Sequence, residues 1–284
     1  MQWNDRTCDA REGAGGPLVI GRMKLLYEIP LWLFALLTVV AFNGTALGGL
    51  ACTRRWGHWL GLYPLVDNGT VGWIFSAILV IYAIAIGLIA VATWSNASAA
   101  SSVASQEASQ IAALYRILAG YPRPMRKDLT RSLVRYTQSI IQDAWPAQQR
   151  GEVTEKGIEI LLDFGRRILE FEPATDGQRI VHEEAIRTLN TLVEFRRQRI
   201  EATSYAVPGS LWAVVLIGAA LSVFASYLFN VPNMFVQALM TMLLTSMIAL
   251  LVFFIAATDH PYRGTNAVGS QAYQIVLRDL VEYE

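Results

Sequence analysis

Val71–Ala92 reads VGWIFSAILVIYAIAIGLIAVA, 22 residues without an Asp, Glu, Lys or Arg. About 20 consecutive apolar residues in a helix cover the hydrocarbon core of a bilayer, so this stretch is predicted to cross a membrane. Three further stretches, Pro30–Leu50, Leu211–Asn230 and Met234–Ala257, are likewise free of charge. Only Val231, Pro232 and Asn233 separate the last two. Pro232 breaks the helix there and makes the pair a tight antiparallel hairpin. With 54% hydrophobic and 16% charged residues in 284, the chain is too apolar for an ordinary soluble domain. The expected fold class is all-α: an integral membrane protein with four transmembrane helices and a cytoplasmic helical region between the second and third.

The four spans divide the chain into an unstructured N-terminal segment (1–28), a first transmembrane pair (29–93), cytoplasmic amphipathic helices (94–208), a transmembrane hairpin (209–258) and a cytoplasmic tail (259–284). Orientation follows from Lys and Arg near the span ends. Arg22 and Lys24 precede the first span and Arg196, Arg197 and Arg199 the third, whereas the loop between the first two carries only Arg54 and Arg55. Both termini are therefore expected in the cytoplasm, with the protein in the inner (cytoplasmic) membrane. A signal-sequence reading of the first run is weaker, because the basic residues lie far upstream of Gly49-Leu50-Ala51-Cys52. Met23-Lys24 reads as an alternative start.

The region from Trp94 to Pro208 holds 15 of the 23 basic and 14 of the 23 acidic residues. Asn96–Ala119 is Ala- and Ser-rich without a breaker and is expected to continue the second span. A second helix starts at Pro124, faces inward with Leu129, Leu133, Tyr136, Ile140 and Ile141, and stops at Trp145-Pro146. A third runs from Thr154 to Phe171 with Ile158, Leu161, Leu162, Ile168 and Leu169 inward. A fourth opens at Asp176 as N-cap and carries Ile180, Leu189, Leu192 and Val193 up to the membrane.

Catalysis finds no support. No Ser or Cys sits in a nucleophile elbow, no glycine pattern binds nucleotides, and His58, His182 and His260 lack metal-ligand spacing, so neither enzyme, metal nor cofactor is expected. Equal numbers of cationic and anionic residues, 23 each, point away from nucleic acid. Cys8 and Cys52 flank the first span and are expected to be free thiols.

Polar residues inside spans are more informative, because lipid tolerates them only when they find partners or face water. Asn43 and Thr45 in the first span, and Gln237, Thr241 and Thr245 at i, i+4, i+8 in the fourth, favour interhelical hydrogen bonds over pore lining. Gly44 and Gly48 form a GxxxG pair suited to helix packing. Ile74, Ile78, Ile81, Ala85 and Leu88 mark an apolar face of the second span that is the candidate pore lining, since apolar rings gate by dewetting. Ile248 in the fourth span is expected to face lipid. Asp259, just past that span, could pair with Arg196, Arg197 or Arg199 as a structural clamp.

An ordered set of short motifs resembles the bestrophin-like family of bacterial membrane proteins. It comprises Glu107-Ala108, Leu114-Tyr115-Arg116, Tyr136, Trp145-Pro146 with Gly151, Arg196-Arg197 with Arg199, Pro208, Leu211-Trp212, Gly218-Ala219, then Asp259, Pro261 and Gly264. The resemblance covers most of the chain from Met23 onward. It implies the layout of bestrophins, pentameric anion channels whose second span lines the pore. The sequence departs from them in lacking a Phe-rich neck, with only Phe75 near the outer end of that span. Asp279, Glu282 and Glu284 lack calcium-ligand spacing, so the resemblance does not extend to calcium gating. The expected function is a homo-oligomeric channel for small anions in the lipid bilayer, a pentamer by resemblance. The alternative is a non-conducting scaffold or sensor whose cytoplasmic helices bind a partner.

Overall fold

The computed structural model describes residues 30–59, 67–264 and 267–282. The expectations for 1–28, including Cys8 and the alternative start, lie outside them. The described residues are all-helical. In chain order the helices are α1 (Leu31–Trp59), α2 (Asn68–Leu118), α3 (Arg123–Ser139), a π turn (Ile140–Ala144), α4 (Trp145–Gln149), α5 (Lys156–Leu169), α6 (Asp176–Thr203), α7 (Gly209–Tyr227), α8 (Met234–Thr258) and α9 (Gln271–Glu282). Four of them, α1, α2, α7 and α8, are long and apolar enough to cross a membrane.

α2 organises the molecule. Asp67 caps it by accepting from the Thr70 amide at 2.9 Å, and the helix then runs 51 residues. At 1.5 Å per residue that is about 76 Å, far more than a bilayer core. The Ala/Ser-rich stretch after Trp94 contains no Gly or Pro, so nothing interrupts helical propagation until Ala119-Gly120. The upper half packs on α7 and α8, and the lower half on α6, α9 and α3.

Two apolar clusters correspond to these halves. Tyr82, Ile86, Val215, Ile248, Val252 and Ile255 join the spans, and Ile111, Leu114, Leu133, Phe164, Ile168 and Leu192 join the polar region. Ile248 is therefore buried between helices rather than facing lipid. Gly44 and Gly48 also depart from expectation: a methyl group on either would meet open space within the chain. The close approaches fall at other glycines. A Cβ on Gly49 would stand 2.7 Å from the Tyr227 hydroxyl oxygen, and one on Gly218 would stand 2.4 Å from Tyr82 Cδ2. Within the chain, large aromatic neighbours mark the packing glycines of the spans.

Trp145-Pro146 does not stop the second polar helix. The chain widens into the π turn and continues to Gln149. A proline ring clashes with the carbonyl four residues back in an α-helix, and a wider turn moves that carbonyl away. The widening also delivers Trp145 into the core, where its Nε1 donates to the Val268 carbonyl at 3.1 Å. In α5 the buried stripe is Gly157, Leu161, Phe164 and Ile168, which leaves Leu162 and Leu169 exposed instead of inward. Ile180 and Val193 of α6 are exposed as well, and Thr175 rather than Asp176 caps that helix.

Candidate functional site

Glu107 is the sole charged residue of α2 between Asn68 and Tyr115. It shares a face with Ala100, Ala104, Ile111 and Leu114, so the packing of that face takes the carboxylate out of water. Burial of a lone charge is very unfavourable unless partners surround it. Four bonds do so. Arg199 of α6 donates Nε to Oε2 at 2.5 Å and Nη2 to Oε1 at 3.3 Å. Tyr136 of α3 donates to Oε1 and Tyr273 of α9 to Oε2, both at 2.8 Å.

The Arg199 guanidinium lies 5.8 Å from the ring centroid of Trp145 and 6.0 Å from that of Tyr273. Trp145 in turn meets Tyr262 and Tyr273 at 5.5 and 5.3 Å between ring centroids. Residues from α2, α3, α6 and α9 thus converge on one carboxylate, with Trp145 of α4 beside them. Burial works against the Arg199 charge, but Glu107 outweighs it and holds the guanidinium above its ordinary pKa. Burial, reinforced by Glu107, raises the phenols of Tyr136 and Tyr273 well above theirs, and burial pushes Tyr262 up to about 12.

The expected clamp takes a different form. Arg199 meets Glu107, Arg197 pairs with Glu194 and Glu201 of its own helix, and no described ion pair joins Asp259 to Arg196, Arg197 or Arg199. Asp259 instead accepts from the Val207 amide at 2.6 Å and lies 3.3 Å from His260 Nδ1. The physical reason is competition. A buried guanidinium takes the buried carboxylate, and Asp259 is left to satisfy a backbone donor in the α6–α7 connection. Burial opposes its charge, yet the bonds from His260 and Val207 prevail and lower its pKa.

The intramembrane polar residues divide. Thr245 donates to Asn43 Oδ1 at 2.6 Å, and Asn43 donates to Ser246 Oγ at 2.9 Å, linking α1 to α8. Gln237 accepts from Arg54 Nε at 2.7 Å and donates to the Phe229 carbonyl at 3.1 Å, while Arg54 also donates to the Val231 carbonyl. Thr241 is buried in the same seam. Thr45 bonds only to carbonyls of its own helix, from an exposed position.

Of the five apolar candidates on α2, Ile74, Ile81 and Leu88 are exposed and Ile78 and Ala85 half-buried. The exposed ones begin a longer series. Ile74, Ile81, Leu88, Ser95, Ser102, Ser109 and Arg116 recur every seven residues and all are exposed. Residues seven apart drift by about 20° per step, so neighbours in the series share a face while the line turns by about 120° from Ile74 to Arg116. Ile84 and Val91 flank the series, exposed too, and sequence reading passed over them because period alone does not say which arc the neighbours cover.

A family profile described as "Bestrophin-like domain" matches residues 35–273. Among solved structures, a bacterial bestrophin homologue from Klebsiella pneumoniae solved by zinc phasing has a TM-score of 0.64 at 17% identity, covering 88% of this chain and 97% of its own. A point mutant of that homologue gives 0.65 at 16% identity with the same coverage. A structure described only as a mutated membrane protein gives 0.66 at 16% identity over 89% of this chain and 98% of its own. No curated protein matches the sequence.

Proposed function

The chain belongs to the bestrophin-like family, and from that premise we propose that it is a homo-oligomeric channel for small anions with α2 nearest the axis. The observation that carries this reading is the seven-residue series on α2, which other helices leave uncovered and which changes from Ile and Leu to Ser and then to Arg116. Repeated around an axis, its upper part makes an apolar constriction that disfavours hydrated ions until it wets, and its lower part a hydroxyl-lined vestibule. One copy has uncharged spans and its intramembrane amides satisfied by neighbouring helices, so a water path requires several. In this reading the spans lie in the inner membrane, and the polar region and both termini lie in the cytoplasm, the side that the Lys and Arg near the span ends favour. No catalytic group enters the proposal.

The test is ion flux from liposomes containing the purified oligomer. Ile81→Ala and Ile84→Ala are expected to raise anion flux by widening the constriction. Met247→Ala, exposed on α8, leaves it unchanged. Ile248 is unsuitable as that control because it packs in the span core. The rival, a non-conducting scaffold, draws on the exposed Leu162, Leu169 and Ile180 of the polar region. An oligomer that passes no ion in any version leaves the scaffold standing.

A further inference from the structure

Residues 116–135 contain six cations, Arg116, Arg123, Arg126, Lys127, Arg131 and Arg135, against one acid, Asp128, in a chain whose 23 basic and 23 acidic residues balance. All six are exposed. Arg123, Lys127, Arg131 and Arg135 recur every four residues, forming a stripe on α3 opposite its buried Leu129, Leu133 and Tyr136. Asp128 pairs with Arg131 at 3.6 Å, and Arg135 donates to Ser132. Glu170 and Glu172 stand with Asp128 around a shallow pocket beside Met125 and Arg167, on the side of α3 that meets α5. Among the described ion pairs none involves Arg116, Arg123, Arg126 or Lys127.

Like charges placed four apart on a helix repel one another and lower its stability, so this pattern has no local structural benefit. Its position gives it another use. Arg116 ends the uncovered series on α2, about 38 Å along the helix from Val91. The turn at 119–122 then returns the chain, which brings Arg123, Arg126 and Lys127 to the same tip.

We infer that Arg116, Arg123, Arg126 and Lys127 form an electropositive collar at the membrane-distal mouth of the pore, selecting anions over cations before they reach the apolar constriction. This rests on the pore reading above. The source of selection is the field. Cations repeated around a confined mouth raise the local anion concentration and exclude cations, without a dedicated binding pocket.

The experiment is the reversal potential of the reconstituted oligomer in a planar bilayer under a KCl gradient. Wild type should reverse near the chloride potential. Replacing the four with Glu (R116E, R123E, R126E, K127E) should lower the chloride-to-potassium permeability ratio about tenfold at low salt. The difference should shrink as ionic strength rises from about 0.01 to 0.15 M and the Debye length contracts from about 30 to 8 Å, a dependence that altered packing would not produce. Should the fourfold reversal block assembly, the Arg116→Gln, Arg123→Gln pair reads the same shift in smaller measure. Arg150→Gln, an exposed cation just past α4 at the opposite end of the polar region, should leave the ratio unchanged. An assembled, conducting variant with the wild-type reversal potential overturns the collar and leaves the pore intact. A wild type that conducts nothing overturns both.

Discussion

Arg199 of α6 and Glu107 of α2 form a two-bond ion pair with side chains 2% and 0% exposed, beneath the rings of Trp145 and Tyr273. The pair joins the longest helix to the last helix before the hairpin, and its two tyrosines add α3 and α9. Removing one member leaves a buried charge without its counterpart. Arg199→Leu or Glu107→Leu should each cost about 3–5 kcal/mol of stability, whereas replacing both by apolar residues should cost much less than the sum. Thermal melts in detergent over the double-mutant cycle read the coupling. Additive, small losses would mean that the rings and not the ion pair hold the junction.

The same junction predicts alkaline sensitivity. The Tyr136, Tyr262 and Tyr273 phenols lie above their ordinary value of 10.0 in the folded chain, Tyr262 at about 12. A raised folded pKa contributes stability that is full below the unfolded value and is lost as pH rises through the folded one. Helicity should therefore hold to about pH 10 and fall as pH climbs toward and beyond 12. Tyr262→Phe should reduce this loss, because one buried phenol no longer has to ionise. Phenolate absorbance that titrates at the value of free tyrosine, with the helices still folded, would contradict the burial argument.

Asp259 gives the opposite sign. Its pKa is lowered below 3.8 in the folded chain, so its contribution is present above that value and disappears as pH falls through the folded one. Asp259→Ala removes the acceptor for the Val207 amide and should cost about 1–3 kcal/mol, whereas Asp259→Asn keeps an acceptor and should cost less. Asp279→Asn, exposed on α9, is the comparison that should melt like wild type. If Asp259→Ala also melts like wild type, the bond to Val207 has no structural weight.

The fold was legible where composition alone decides it. Four uncharged runs and a polar interval with helical spacing identify the spans and the continuation of the second one as α2. The Glu107–Arg199 pair was half legible. A single acid in a long run of Ala, Ser and Ile, three to seven residues from Ala100, Ala104, Ile111 and Leu114 on one face, announces a buried charge. Sequence does not say which of Arg196, Arg197 and Arg199 answers it, because that depends on the rotation of α6. The i+4 spacing of Arg197 to Glu201 could have removed that residue from the set. The exposed Leu162 and Leu169 were misread because the apolar residues of α5 cover nearly two arcs, and only the position of α3, α6 and the π turn selects one.

Helix packing in the spans supplies another prediction. Gly218→Val should separate α7 from α2, since even its first carbon would overlap Tyr82. Overpacking of this kind costs roughly 1–3 kcal/mol. Gly44→Ala and Gly48→Ala, whose added methyl meets no atom of the chain, should leave the melting temperature of the isolated chain in detergent unchanged. A reversed order, with Gly48→Ala the more damaging, would restore the GxxxG pair as the packing motif.

Orientation provides the last prediction. Arg54 ties the end of α1 to the turn between α7 and α8 through Gln237 and the Val231 carbonyl, so that turn and the end of α1 lie on one side of the bilayer. Arg196, Arg197 and Arg199 precede α7 on the other side, and the excess of Lys and Arg there favours the cytoplasm. In a Cys8→Ser, Cys52→Ser background, a cysteine at Pro232 should react with an impermeant thiol reagent in intact cells, and one at Gly177, exposed in α6, only after lysis. The two sites are compared within one protein, so expression and folding affect both alike. Labelling of Gly177→Cys before lysis with protection of Pro232→Cys would invert the topology and move the cation collar to the outer face, where it would select anions entering rather than leaving the cell.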